Sequence, residues 1–363
     1  MNSVYILNSS LEIEAIINDY TAKQWHTIWG SGGSFTLWAS ITSYNSQYLQ
    51  IGNFVWFEYE SIALIEDIQK ETDEDTAQLS MKVSGRLFEV AALSSRIIWG
   101  RLLKTDYSNK IIEEIIKTQV VDPVDGNRKL DNILLVQNAN NIGSSVTFVN
   151  SYGNVWDQVE QLNQAYNLDT RFVFDEDNKN LTVLIRTGND LSDEVIIDTD
   201  LGILKSAEYE RDISSYCNTA LIAGEGEGTD RVLAYIGSAN KGLNRKELYV
   251  DARDLQKTND DGFTMSSDDY NAALVLRGKQ KLTENLVYES YDASIELNNN
   301  SAFIFGKDFS FGDIVTLVDY NLLVSVKARV NEVLISDDED GEKITLTFGI
   351  SSPTITKIIK RRG

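Results

Sequence analysis

The sequence predicts a mainly β fold with α+β insertions: two similar β-barrel domains plus a peripheral α+β region. Three observations carry this. Alternating apolar and polar residues dominate both ends of the 363-residue chain. Helical spacing is confined to the middle and to one later stretch. Two segments about 265 residues apart follow one plan. The first runs Gly52-Asn53-Phe54-Val55-Trp56-Phe57, then Ile65-Glu66-Asp67-Ile68, the acidic turn Asp73-Glu74-Asp75, and Leu79 to Gly85. The second runs Gly312-Asp313-Ile314-Val315-Thr316-Leu317, then Val330-Asn331-Glu332-Val333, the acidic turn Asp338-Glu339-Asp340, and Ile344 to Gly349. The order agrees, and so does the spacing from the middle strand to the acidic turn, which points to an internal duplication.

The elements follow in order. Val4 to Leu7 is a short apolar strand, and Leu11, Ile13, Ala15 and Ile17 alternate with polar residues. Trp25 to Trp29 and Phe35 to Trp38 flank Gly30-Ser31-Gly32-Gly33, which reads as a hairpin loop. Leu87 to Ser95 reads as a short helix, closed by Ile97-Ile98-Trp99. This unit, residues 1–105, is the first barrel.

Residues 106–205 form the α+β region. Asp106 or Ser108 can cap a helix with Ile111, Ile112, Ile115 and Ile116 on one face, stopped by Asp122-Pro123. Val155, Trp156, Val159, Leu162 and Tyr166 make a second amphipathic helix. A hairpin follows, from Arg171 to Phe174 and Leu181 to Ile185.

Residues 206–363 return to β and form the second barrel. Asn218 to Ala223 and Arg231 to Ile236 are strands joined by Gly224-Glu225-Gly226-Glu227-Gly228. A helical insertion spans 264–290. Ser266 or Ser267 caps it, Asp268 and Asp269 favour its first turn, and Leu274, Leu282 and Leu286 lie near one face. The basic tail Lys357 to Gly363 reads as mobile.

Composition narrows function. The net charge of −22 argues against binding to a phosphate backbone. One cysteine, Cys217, allows no intrachain disulfide and fits a reducing compartment. No apolar run approaches the length of a membrane span, and no signal peptide is visible. With His26 as the only histidine, neither nucleophilic catalysis nor a structural zinc shell is supported. Ser336 to Gly341 can be laid on a calcium loop with its glycine in place, but Ser336 and Thr347 stand where acids are needed. The glycines of the Gly224–Gly228 loop are flanked by glutamates rather than phosphate donors. No catalytic, cofactor-binding or metal residue is assigned, and no cofactor is expected. Trp56, Phe57, Phe311 and Ile314 are candidates for core or ring contacts. Two alternatives stay open: a cell-wall hydrolase with paired carboxylates, and a carbohydrate-binding module with exposed coplanar tryptophans.

The chain resembles a siphophage tail hub family, the tail-tip proteins of phages with long non-contractile tails. That family is distantly similar to the baseplate hub of contractile-tailed phages. The resemblance rests on Val4-Tyr5-Ile6-Leu7, Trp29-Gly30-Ser31-Gly32-Gly33-Ser34-Phe35-Thr36-Leu37, Leu49-Gln50-Ile51-Gly52-Asn53, Val83-Ser84-Gly85-Arg86 and Arg96-Ile97-Ile98-Trp99. Arg277-Gly278-Lys279, Phe311 to Val315 and Thr347-Phe348-Gly349 complete it, in that order. It implies a non-enzymatic homotrimer whose paired barrels form a pseudo-sixfold ring joining the sixfold tail tube to a threefold tip. It also implies viral DNA passing through the lumen without specific binding. The implied partners are a distal tail protein, the tail tube, a tape measure protein, and tail fibre or receptor-binding proteins. The place is the virion tail tip, assembled in the host bacterial cytoplasm. Lysin or receptor-binding domains of relatives are expected elsewhere.

Overall fold

The computed structural model describes residues 3–72, 79–136, 139–198, 204–258, 264–295 and 303–349. The first part holds β1 (Val4–Leu7), β2 (Ile13–Ile17), β3 (Tyr20–Ile28), β4 (Gly32–Ser40), β5 (Phe54–Trp56), β6 (Ala63–Leu64), β7 (Asp67–Thr72) and β8 (Leu79–Arg86). Helices α1 (Ser43–Tyr48) and α2 (Phe88–Ser94) interrupt and close it. The middle holds β9 (Arg101–Tyr107), α3 (Ser108–Ile116), β10 (Ile133–Leu135), β11 (Ser145–Ser151), α4 (Val155–Tyr166), β12 (Asp169–Asp175), β13 (Asn180–Arg186) and β14 (Ile196–Asp198). The last part holds β15 (Leu204–Asp212), β16 (Thr219–Ala223), β17 (Leu233–Ile236), β18 (Glu247–Asp251), α5 (Ser267–Thr283), β19 (Tyr288–Ile295), β20 (Ile314–Asp319), β21 (Val324–Asp338) and β22 (Gly341–Gly349).

The mainly β class with helical insertions is as predicted. The barrels are not closed. Strands from both ends of the chain join one ten-stranded sheet, whose main path is β15-β19-β22-β21-β3-β4-β8-β7. The physical reason lies in β21. It is 15 residues long: Val324–Arg329 pairs with β20, Arg329–Asp338 turns back into β22, and Glu332–Asp337 also pairs with β3 on its other edge, which joins the two halves into one sheet. A smaller sheet, β2-β1-β5-β6, covers the N-terminal half.

Two cores lie under the long sheet. Trp25, Phe35, Leu37, Phe57 and Val83 fill the first; Tyr291, Val330, Leu346 and Phe348 fill the second. Ile335 packs against both. The opposite face of the sheet is polar, carrying Gln24, Ser34, Thr36, Ser84, Ser336 and Thr345, all partly exposed. This alternation is what a sheet with one buried face requires.

The middle region centres on α3 and α4, whose isoleucines and Trp156 are buried with Phe148 and Phe172. The α3 cap differs from expectation. Tyr107 precedes the helix without a side-chain cap, and Ser108 is its first, buried residue. The α4 cap is Asn154, whose side chain accepts from Asp157 N. The late insertion is shorter than 264–290: α5 ends at Thr283, so Leu286 lies beyond it. Ser266 caps it as read. Gly278 sits where a Cβ would come within 2.6 Å of Ile222, so close packing of α5 on β16 selects glycine. α1 was missed, because its six residues carry no apolar period. The turn Asp73-Glu74-Asp75 and the tail Lys357 to Gly363 lie outside the described residues.

Candidate functional site

The duplication seen in sequence is repeated in hydrogen bonds. Gly52 N donates to Ile65 O at 3.0 Å, and Ile65 N to Asn53 O at 2.9 Å. Gly312 N donates to Val330 O at 3.0 Å, and Val330 N to Asp313 O at 2.9 Å. Both glycines hold positive φ, +96° and +90°, which an L residue adopts at a cost. Three residues after Ile65 and Val330 come Ile68 and Val333, which pair with Val83 and Leu346. Strand order extends the match: β3, β4, β8 and β7 sit in the same relation as β15, β19, β22 and β21. Trp25 opposite Phe35 then corresponds to Tyr209 opposite Tyr291. The equivalence was hidden in sequence because β16 to β18 and α5 are inserted between β15 and β19.

The two halves join where β21 pairs with β3, from Glu332 opposite Ile28 to Asp337 opposite Lys23. Tyr20 donates to Asp337 Oδ2 at 2.9 Å, and His26 Nε2 lies 3.0 Å from Glu332 Oε2. Burial pushes the Lys23 ammonium below the usual lysine range, against the pull of Asp337. Burial likewise raises the Tyr20 phenol, with Asp337 adding to the shift. Next to the seam, the Trp29 and Phe311 rings lie 5.3 Å apart, edge to face, with Arg329 over Trp29.

Among the described residues, the main path of the sheet ends at β7 on one side and at β15 on the other. Strand β7 corresponds to the far half of β21, and β15 to β3. The two terminal strands are therefore the counterparts of the two strands that meet inside the chain.

The middle region is pinned to the β3–β4 turn by a buried charge cluster. Arg171, 1% exposed, donates to Asp169 Oδ2 at 3.0 Å, Glu89 Oε1 at 2.9 Å and Ile28 O at 2.8 Å. Asp169 Oδ1 accepts from Gly30 N at 3.0 Å. Burial pushes the Glu89 carboxyl up, and its second oxygen has no partner. Arg186 joins the cluster to Glu60 through two hydrogen bonds.

The four candidate contact residues divide. Phe57 is core, against Trp25 and Phe35. Trp56 is half-buried between Tyr5 and Phe174. Phe311 packs on Trp29 next to the seam, and Ile314, at the start of β20, stands opposite Arg329. His26 sits on the seam, and Cys217 on a partly exposed segment beside β18. Ser336 and Thr347 are strand residues, so the calcium-loop alignment does not correspond to a loop. The Gly224–Gly228 segment joins β16 to β17 as read. Trp99 is 62% exposed, while Trp25, Trp29 and Trp156 are buried. No helix among the described residues is long and apolar enough to cross a membrane.

The model of the family described as Siphovirus ReqiPepy6 Gp37-like protein matches residues 3–350. No curated protein sequence matches the chain. Among solved structures, the chain resembles the 43 kDa tail protein of prophage MuSo2 from Shewanella oneidensis, at 12% identity and TM-score 0.59, covering 95% of this chain and 98% of that one. It also resembles the prophage tail protein gp18 from Listeria monocytogenes, at 13% identity and TM-score 0.53, covering 99% and 97%. The Francisella PdpA–VgrG complex gives TM-score 0.51 at 9% identity, covering 96% of this chain and 57% of that one. These likenesses show a shared fold. With nearly its whole length matched, the chain belongs to the Siphovirus ReqiPepy6 Gp37-like family.

Proposed function

We propose that the protein is a non-enzymatic tail-tip hub: a trimeric, pseudo-sixfold ring that joins the sixfold tail tube to a threefold tip and lets DNA pass. One observation carries this reading. The chain contains one complete seam, β21 with β3, and ends its sheet on the two strands of an equivalent seam. A second copy supplies the missing half on each side. Such a head-to-tail contact closes into a ring when the rotation allows it.

Three copies of the eight-strand path give twenty-four strands. At about 4.8 Å between strands, the backbone ring would be roughly 37 Å across before strand tilt widens it. Side chains leave room for a DNA duplex. The face away from the cores would line the passage. It is rich in serine and threonine, and β7 and β15 add Asp67, Glu71, Glu208 and Glu210 to it. A wall of this kind does not hold phosphates by charge. A distal tail protein, the tail tube, a tape measure protein and fibre or receptor-binding proteins are the proposed neighbours, at the virion tail tip.

Electron microscopy of the assembled particle tests the reading. A threefold ring with six similar wedges and an axial opening is expected. A solid tip, or an unpaired β7 edge in the assembled particle, would overturn it.

A further inference from the structure

A cleft of about 350 Å³ lies in the peripheral region, away from the proposed ring seam. Ligand sites of small molecules start near this size, at about 300 Å³. One wall is the β9–β11 ribbon, which contributes Arg101, Asn150 and Ser151. The other wall is the segment after β18 together with α5, which contributes Asp254, Gln256 and Arg277. Arg101 bridges the walls by donating to Gln256 O at 3.3 Å. Arg277 donates to both oxygens of Asp254, at 3.2 and 3.0 Å. The cleft therefore has planar, pre-set donors and acceptors on two rigid walls.

One aromatic residue lines the cleft and a second precedes a lining glycine. Tyr152 lines it, is 67% exposed, and holds φ +57°, a conformation that tyrosine adopts only at a cost. Trp99 precedes Gly100, which also lines the cleft, and is 62% exposed. The Arg128 guanidinium lies 5.5 Å from the Trp99 ring and is itself fixed by Gln119 Oε1 and Ile97 O. Gln119 Oε1 also accepts from Trp99 N at 2.8 Å. The Trp99 ring thus has Arg128 beside it, and both it and the Tyr152 ring are largely open to solvent. Neither packs the core.

We infer that this cleft binds an oligosaccharide. Sugar rings offer a C–H face that stacks on aromatic rings and an edge of hydroxyls suited to paired guanidinium, carboxylate and amide groups. Two arginines against one aspartate favour a sugar chain that is neutral or acidic over a basic one. With Asp254 ion-paired and the sole carboxylate in the lining, the cleft is a binding site and not a hydrolytic one.

The test titrates an N-acetylglucosamine hexamer and a galacturonic acid hexamer into the full chain, followed by calorimetry and tryptophan fluorescence. Either sugar should bind, and Tyr152→Ala and Trp99→Ala should each weaken binding by roughly tenfold or more. Tyr152→Phe, which keeps the ring, should bind within about twofold of wild type. Both alanine sites are largely exposed, so folding is expected to survive, and circular dichroism checks it. Absence of binding by either sugar overturns the inference, as does binding that persists unchanged in both alanine variants. The outcome is independent of ring formation, since the whole cleft lies within one chain.

Discussion

Lys23 and Asp337 face each other across the seam between the two halves of the chain, with Nζ 3.7 Å from Oδ2 and both side chains about 95% or more buried. They lie 314 positions apart in sequence, so the pair exists only when the long sheet is complete. Removing one member leaves the other charge in a low-dielectric site. Asp337→Ala also takes the acceptor from the Tyr20 hydroxyl. A loss of about 3 kcal/mol in denaturant-unfolding stability is expected. Lys23→Met combined with Asp337→Leu should lose less than Asp337→Ala alone.

The same cluster sets a pH dependence. The Lys23 pKa is lowered in the fold, so the unfolded chain binds that proton more tightly. Its penalty is full at neutral pH and is relieved as pH rises through the lowered value toward the ordinary lysine value. The Tyr20 pKa is raised, so its contribution is present below the ordinary phenol value and is lost above it. Stability relative to Lys23→Met should therefore climb between neutral pH and about pH 10. A flat difference would contradict the burial of Lys23.

Gly52 and Gly312 are equivalent positions with unequal surroundings. A Cβ at Gly52 meets nothing within 4 Å, whereas one at Gly312 would come within 1.8 Å of the Trp29 ring. Gly52→Ala should cost about 1 kcal/mol, from backbone conformation alone. Gly312→Ala should cost about 3 kcal/mol or more, because Trp29 must also move. Thermal melts of the two variants separate these outcomes.

Arg171 holds the middle region onto the β3–β4 turn. Arg171→Met leaves the buried Glu89 without its cation and Asp169 with Arg186 alone. A loss of about 3–5 kcal/mol is expected. Protease cleavage in the middle region should rise with it.

Carrying the β21–β3 register over to the terminal strands sets Glu71 opposite Glu208 and Asp67 opposite Asp212. Like charges directly opposed weaken strand pairing. Ring closure should therefore strengthen with salt. Glu208→Lys should raise the trimer fraction several-fold at low salt. Sedimentation at two ionic strengths measures both effects; trimerisation that salt only weakens would contradict the register.

Much of this was legible in sequence. Glycine before a strand, alternating apolar residues and the same order of elements marked Gly52 to Ile68 and Gly312 to Val333 as repeats, because turn chemistry and burial leave local signatures. Ser266, the α3 isoleucines and the apolar face from Val155 to Tyr166 marked helices for the same reason. The shared sheet was not legible. Pairing between Lys23 and Asp337 is non-local, and no short-range pattern records which strand edge meets which. The Arg171 cluster escaped notice too, since a buried arginine looks like any surface arginine until its carboxylates converge. Trp99 was read only as closing the first unit, and its exposure was not legible: Gly100, at φ +80°, turns the chain there and the ring stays outside.

The most direct measurement is cysteine crosslinking between the terminal strands. By the transferred register, Lys70 of one copy stands opposite Tyr209 of the next, as Ile335 stands opposite Trp25 within the chain. Lys70→Cys with Tyr209→Cys, in a Cys217→Ser background, should give a covalently closed trimer on oxidation. Oxidised product that stays monomeric, while His26→Cys with Leu334→Cys crosslinks within the chain, would contradict the ring.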